Sequence, residues 1–277
     1  MRTLILLSLI IAISFSSCMQ FRKSDKKIKS RFQESGVEVE IVYDEIEGRR
    51  LRYVKTGIDK QNLIIFIHGA PGSSQDYYQF LEDSILLENF KMISIDRPGY
   101  GYSGFGDSEK SILRQSELIL KCLKPEIEKS KKVIVVGHSF GGPIAGFFAA
   151  QNDLEINLTI MLAPANDPKK EKVYWITYLV EYPPFSWLTP KAWKVAADEK
   201  LSHSRALEQL AFIWPQISQP IVHIHGTKDI LVPFETIDFS REKIDPKFLK
   251  IIDLKDVNHF LPWSHTEYIR DLIANEI

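Results

Sequence analysis

Val133-Ile134-Val135-Val136-Gly137-His138-Ser139-Phe140-Gly141-Gly142-Pro143 decides the fold. Four consecutive aliphatic residues predict a buried parallel strand. Pro143 then opens a run of small and apolar residues, Ile144 to Ala150, that suits a helix. A strand turning directly into a helix leaves one residue strained at the apex. Gly137 and Gly141 let the two elements approach closely around it. The apex residue is Ser139, held out as a nucleophile in the G-x-S-x-G elbow pattern.

Outward from this stretch, strands and helices alternate. Leu63–Ile67, Met92–Ile95, Leu158–Leu162, Ile221–Ile224 and Leu249–Leu254 read as further strands. Helical patterns fall near Gln75–Leu87, Ser108–Lys129, Gly141–Asn152 and His265–Asn275. Such alternation predicts an α/β domain whose mostly parallel, doubly wound sheet is covered on both faces. Val37–Tyr43 alternates in the manner of an antiparallel strand, with Arg50–Val54 as its hairpin partner. The 55 or so residues between Pro164 and Pro220 break the rhythm and carry Trp175, Trp187, Trp193 and Trp214. That interval is too long for a simple connection and predicts a helical cap over about 166–216, most of its aromatics forming its own core and some roofing the site.

The N-terminus has a different character. Met1-Arg2, an apolar run from Leu4 to Phe15 and then Ser16-Ser17-Cys18 describe an export signal over 1–18. The apolar run is about a dozen residues, short of the roughly 20 that span a bilayer. Small residues ending on Cys18 resemble the lipobox of bacterial lipoproteins, where the cysteine is lipidated. Phe15 departs from the aliphatic residue usual there. Residues 19–36 are expected to be a polar, basic tether, since Arg22, Lys23, Lys26, Lys27, Lys29 and Arg31 face only Asp25 over its first part. The folded domain is then expected over 37–277. The protein is accordingly expected to be exported and held on a membrane of a bacterial cell envelope.

Composition narrows the function classes. Hydrophobic residues make up 44% and charged residues 26% of the 277, as in soluble globular chains. Lys plus Arg number 35 against 36 for Asp plus Glu, an even balance that gives no reason to expect a nucleic-acid partner. Cys18 and Cys122 are the two cysteines, too few for a disulfide framework. Cys122 lies in an amphipathic helical pattern as a small buried residue. No metal-ligand spacing such as paired Cys or H-E-x-x-H is present, and no cofactor is expected.

An acyl-transfer serine needs a base, a carboxylate that orients the base, and N–H donors for the oxyanion. The candidates follow predicted strands, at the sheet end where α/β proteins place their sites. The base is His259; the other six histidines fall in strands, in the cap, at a helix start or in other motifs. The leading acid is Asp229, with Asp167 its rival after the preceding strand. Main-chain N–H groups of Ala70, in His68-Gly69-Ala70-Pro71-Gly72-Ser73, and of Phe140 supply the oxyanion hole. His68 is read as a scaffold for that loop. Asp96 and Arg97, in a stretch dense with turn residues, are read as structural.

HGAPGS, DRPGYGYSG, GHSFGG, GTKDILVP and VNHF, in this order and spacing, resemble the α/β-hydrolase superfamily from about Val37 to the C-terminus. Ser139, Asp229 and His259 stand in the chain order expected for this elbow. The resemblance implies a serine hydrolase cleaving a carboxylic ester or related small acyl substrate through an acyl-enzyme. Serine at 139 argues against the epoxide hydrolase and haloalkane dehalogenase branches, which use aspartate there. Proline-type aminopeptidases are an alternative, with Glu181 the cap acid that would hold a substrate amine. That group typically has Gly at position 70 and Gly-Gly-Ser-Trp-Gly at the elbow. Carbon–carbon bond hydrolysis on the same triad, or a non-catalytic binding lipoprotein on this scaffold, are further alternatives.

Overall fold

A computed structural model of the chain describes residues 21–181 and 185–276. The expected signal segment and Cys18 lie outside the described residues, as does the Glu181 side chain.

After an N-terminal helix α1 (Asp25–Glu34), a hairpin of β1 (Val39–Ile46) and β2 (Arg49–Thr56) leads into β3 (Asn62–Ile67). A 3-10 turn (Ser74–Tyr77) and two short helices, α2 (Tyr78–Leu81) and α3 (Ser84–Leu87), precede β4 (Phe90–Asp96). Then come α4 (Ile112–Glu128), β5 (Lys132–His138), α5 (Gly141–Ala149) and β6 (Leu158–Leu162). The cap contributes α6 (Trp175–Glu181), α7 (Phe185–Leu188), α8 (Lys191–Leu210) and a 3-10 segment (Ala211–Gln216). The chain closes with β7 (Ile221–Gly226), α9 (Thr236–Lys243), β8 (Leu249–Leu254), α10 (Leu261–Ser264) and α11 (Thr266–Ala274).

The eight strands form one sheet in the order β1-β2-β4-β3-β5-β6-β7-β8. Only the β1–β2 and β2–β4 pairings are antiparallel, so β2 alone runs against the rest. Side chains alternate across a strand, and β5 therefore feeds both faces. Val133 and Val135 join the core under α4 and α5, while Ile134 and Val136 join the core under α1, α2 and α11. All four are buried, each contributing about 1.5–3 kcal/mol by leaving water.

Two glycines make the β5–α5 crossing possible. A Cβ on Gly137 would meet the Gly141 carbonyl at 2.2 Å, and one on Gly141 would meet the Ile67 carbonyl at 2.3 Å. Only residues without a side chain permit that approach.

The N-terminal part departs from the expected tether over 19–36. Residues 25–34 form α1, whose Ile28 and Phe32 are fully buried. Their spacing of four puts both on one helix face, and Phe32 packs edge-on against Tyr78 at 5.2 Å. Two apolar residues within a basic run leave too faint a periodicity to read without the tertiary partner. The expected helix over Gln75–Leu87 likewise resolves into a 3-10 turn and two short helices. Here Asp83 caps α3 by accepting from the N–H groups of Ile85 and Leu86.

Candidate active site

The loops after β3, β5, β7 and β8 converge at the carboxyl end of the sheet. At the β5–α5 apex, Ser139 has φ +53°, the left-handed region that costs a non-glycine residue on the order of 1 kcal/mol. Main-chain bonds hold the strained turn. The Ser139 N–H donates to Leu162 O at 2.9 Å, and the Ser139 carbonyl accepts from Gly142 and Ala165. The Ser139 side chain is left half-buried just past the end of β5.

The loop after β3 lies directly against the apex. A Cβ on Gly69 would stand 3.1 Å from Ser139 Cβ. Among the described residues, neither the Ala70 N–H nor the Phe140 N–H has an acceptor, so both remain open to a ligand oxygen. His68 fixes this loop. Its Nδ1–H donates to Gly69 O at 2.7 Å and its Nε2 accepts the Arg97 N–H at 2.9 Å. Burial, with the nearby Arg97 charge, pushes its pKa well below the ordinary value and keeps it neutral.

His259 follows β8. Its Nδ1 lies 2.6 Å from Asp229 Oδ2, a short charge-assisted contact that leaves Nε2 as its free ring nitrogen. The Ser139 hydroxyl makes no hydrogen bond to His259 in this geometry. Such contacts commonly tighten only with substrate in place. His138 places the two halves side by side, donating Nε2–H to the His259 carbonyl at 3.0 Å with the rings 4.7 Å apart. Burial, reinforced by the neighbouring His259, pushes the His138 pKa down to about 3.

Asp229 is held locally. Its Oδ1 accepts from the N–H groups of Leu231 and Val232 at 2.9 and 2.8 Å. Burial opposes its charge, but hydrogen bonds from His225 and His259 outweigh burial and hold the carboxyl well below the usual range. Asp167 is not brought to the histidine. Its carboxylate accepts from the Lys169 N–H at 2.9 Å, the bond of a turn former.

His225, placed by the sequence reading merely at the end of a strand, stands directly behind the acid. Its Nε2 lies 3.3 Å from Asp229 Oδ2. Its Nδ1 meets His223 Nε2 at 3.1 Å, and His223 Nδ1 meets Ser240 Oγ at 2.9 Å. Asn166 Nδ2 donates to the same Ser240 oxygen at 2.9 Å. His225 Nε2 also lies 3.2 Å from the Val232 carbonyl, so a proton on Nε2 finds acceptors in Val232 O and Asp229 Oδ2. The i, i+4 spacing of His225 and Asp229 was the available signal.

Asp96 and Arg97 do structural work around the site. Asp96 is fully buried and accepts from Arg52, Ser74 N–H and Tyr102 N–H. Arg97 donates to the carbonyls of His68 and Gly69 and forms a fully buried ion pair with Glu199 of α8 at 2.7 Å. Glu199 also accepts from the Tyr100 hydroxyl at 2.6 Å, so through Arg97 the cap is bolted to the loop after β3.

The strand order, the strained serine at the β5–α5 turn and the histidine after β8 together decide the architecture. The chain has the α/β-hydrolase fold. Residues 62–187 match the family model for the alpha/beta hydrolase fold. Epoxide hydrolase 1 of Caenorhabditis elegans is 32% identical over 112 residues, 39% of this chain and 26% of that protein. The chain spans about a third or less of the length of the curated relatives it matches. Among solved structures, a bacterial membrane phospholipase A, described as a virulence factor, superposes with TM-score 0.63 at 16% identity over 99% of each chain. An esterase from Pyrococcus furiosus superposes with TM-score 0.64 at 21% identity, over 88% of this chain and 91% of that one.

Among the described residues, no group of three or more His, Cys, Asp or Glu side chains could hold a metal ion. Cys122 is buried and free, and burial pushes its thiol up to about 12, away from reactivity.

Proposed function

We propose that the protein is a serine hydrolase of carboxylic esters or related acyl compounds. The short Asp229–His259 hydrogen bond beside the strained Ser139 is the observation that carries this reading. His259 Nε2 takes the proton of Ser139 as its Oγ attacks the acyl carbonyl. The N–H groups of Ala70 and Phe140 receive the developing oxyanion. Collapse of the tetrahedral intermediate passes the proton from His259 to the leaving alcohol and leaves Ser139 acylated. Water, deprotonated by His259, then releases the acid and restores the serine. Asp229 keeps the imidazole oriented and steadies it when it is positively charged.

An ester rather than an aminopeptidase substrate is favoured by the exposed apolar surface beside the site, where Ile230 and Phe260 flank the acid and the base. We also propose that Cys18 is the lipid attachment point of an exported protein, on the strength of the lipobox-like run before it.

A fluorescent phosphonate that traps activated serines tests the reading. Labelling of the wild type and none of Ser139→Ala is expected. Equal labelling of both, or of neither once folding is verified, would overturn it and favour a binding protein on this scaffold.

A further inference from the structure

Large apolar side chains on the cap are left in water. Trp175 is 73% and Trp187 81% exposed, and Tyr178 and Leu188 are exposed beside them. The apolar surface continues to the site. The Tyr174 hydroxyl donates to the Ile230 carbonyl at 2.9 Å, next to Asp229. Past His259, the exposed rings of Phe260 and Trp263 lie 6.0 Å apart. Contiguous exposed aromatics of this size mark a surface that meets another apolar phase. Trp and Tyr are the side chains favoured where that phase is a lipid–water boundary.

Two observations name the occupant. Exposed Lys169, Lys170 and Lys172 border the aromatic run from Val173 to Trp175, the charge that anionic head groups attract. The N-terminus also leaves the fold at the cap. Phe21 packs edge-on against Trp193 of α8 at 6.3 Å and joins the small cluster of Tyr100, Ala192 and Val195. Arg22 stacks over Tyr102 at 3.8 Å. Two residues, Met19 and Gln20, lie between Cys18 and Phe21, a reach of at most about 11 Å fully extended. A lipid on Cys18 therefore enters its bilayer beside the cap, with no slack to swing the molecule over.

We propose that Trp175, Tyr178, Trp187 and Leu188 on the cap, with Phe260 and Trp263 beside the site, form the face that lies on the membrane holding the protein's own N-terminus. The substrate class is then the acyl esters of lipids in that bilayer. This rests on the hydrolase and Cys18 readings above and fixes the orientation that joins them.

The full chain, expressed with its own N-terminus and purified, is mixed with vesicles of equal parts phosphatidylcholine and phosphatidylglycerol, with or without brominated acyl chains. Brominated chains are expected to quench tryptophan emission, and Trp175→Tyr/Trp187→Tyr to lose most of the quenched part. Trp187→Ser/Leu188→Ser is expected to lower turnover of vesicle-borne acyl lipid about ten-fold. Turnover of a soluble acetate ester should stay within about two-fold. Ile58→Ser, in the β2–β3 turn at the opposite end of the sheet, is expected to change neither. Absence of quenching, or equal loss on both substrates, overturns the docking face. A mass measurement of the mature N-terminus and phosphonate labelling of the same sample report separately on the anchor and on the nucleophile. The quenching result decides the face whatever they show.

Discussion

Two buried carboxylates, Asp229 and Glu199, are stabilised in opposite ways. Asp229 finds its main-chain partners two and three residues along the chain, and one of its imidazoles four residues back. Glu199 is satisfied across the fold by Arg97, Tyr100 and Gln115, the first of them 102 residues away. The first arrangement is written into a short loop and serves chemistry in the proposed mechanism. The second joins two distant elements and serves architecture. Mutating the pair should therefore separate activity from stability.

Asp229→Asn should give the largest effect. With the imidazole no longer oriented by a charge, kcat is expected to fall about 10⁴-fold, the scale seen for the equivalent change in a serine protease. Folding stability should change far less, and steady-state ester hydrolysis beside a denaturant titration checks both. A loss of stability as large as the loss of activity would erase the contrast.

Glu199→Ala should do the reverse. It strands the fully buried Arg97 guanidinium, a change that costs about 3–5 kcal/mol. Unfolding in urea reads this directly. Phosphonate labelling of the protein that remains folded should persist, because no atom of Glu199 belongs to the proposed acyl-transfer machinery. A midpoint unchanged from wild type would mean that the cap is held by other contacts.

A third test is a pH dependence. His68, His138 and His223 are buried with folded pKa values below the ordinary value near 6.5, that of His138 about 3. Below about pH 6.5 the unfolded chain binds protons that the folded chain refuses, so stability falls with pH. Each histidine contributes about 1.4 kcal/mol per pH unit through that window. The depressed Asp229 carboxyl adds a further loss in the same direction once pH drops below the usual carboxylate range. Thermal melts from pH 7 to pH 5 should show a falling Tm, with a shallower slope in His138→Asn. A flat profile would mean these histidines accept protons in the folded state.

The same contrast explains what could be read from the sequence. The elbow around Ser139, the loop at Ala70 and the turn at Asp229 are short segments whose backbone demands glycine, proline or a turn-forming carboxylate at fixed positions. They announce themselves, and so does the strand–helix alternation that orders the sheet. Partnerships across the fold leave no such mark. Nothing near Glu199 points to Arg97, 102 residues away. The helix over Asp25–Glu34 is hidden from the sequence for the same reason. Ile28 and Phe32 become core residues only against Tyr78 and the edge of the sheet.

In the proposed mechanism Ser139 is acylated and His259 drives both halves of the reaction. Rapid mixing with a chromogenic ester, acid quench and peptide mass mapping would test it most directly. A burst of released alcohol and an acyl group on the peptide carrying Ser139 are expected, with neither in Ser139→Ala. Turnover by the wild type without a covalent adduct, or turnover retained by Ser139→Ala, would contradict it.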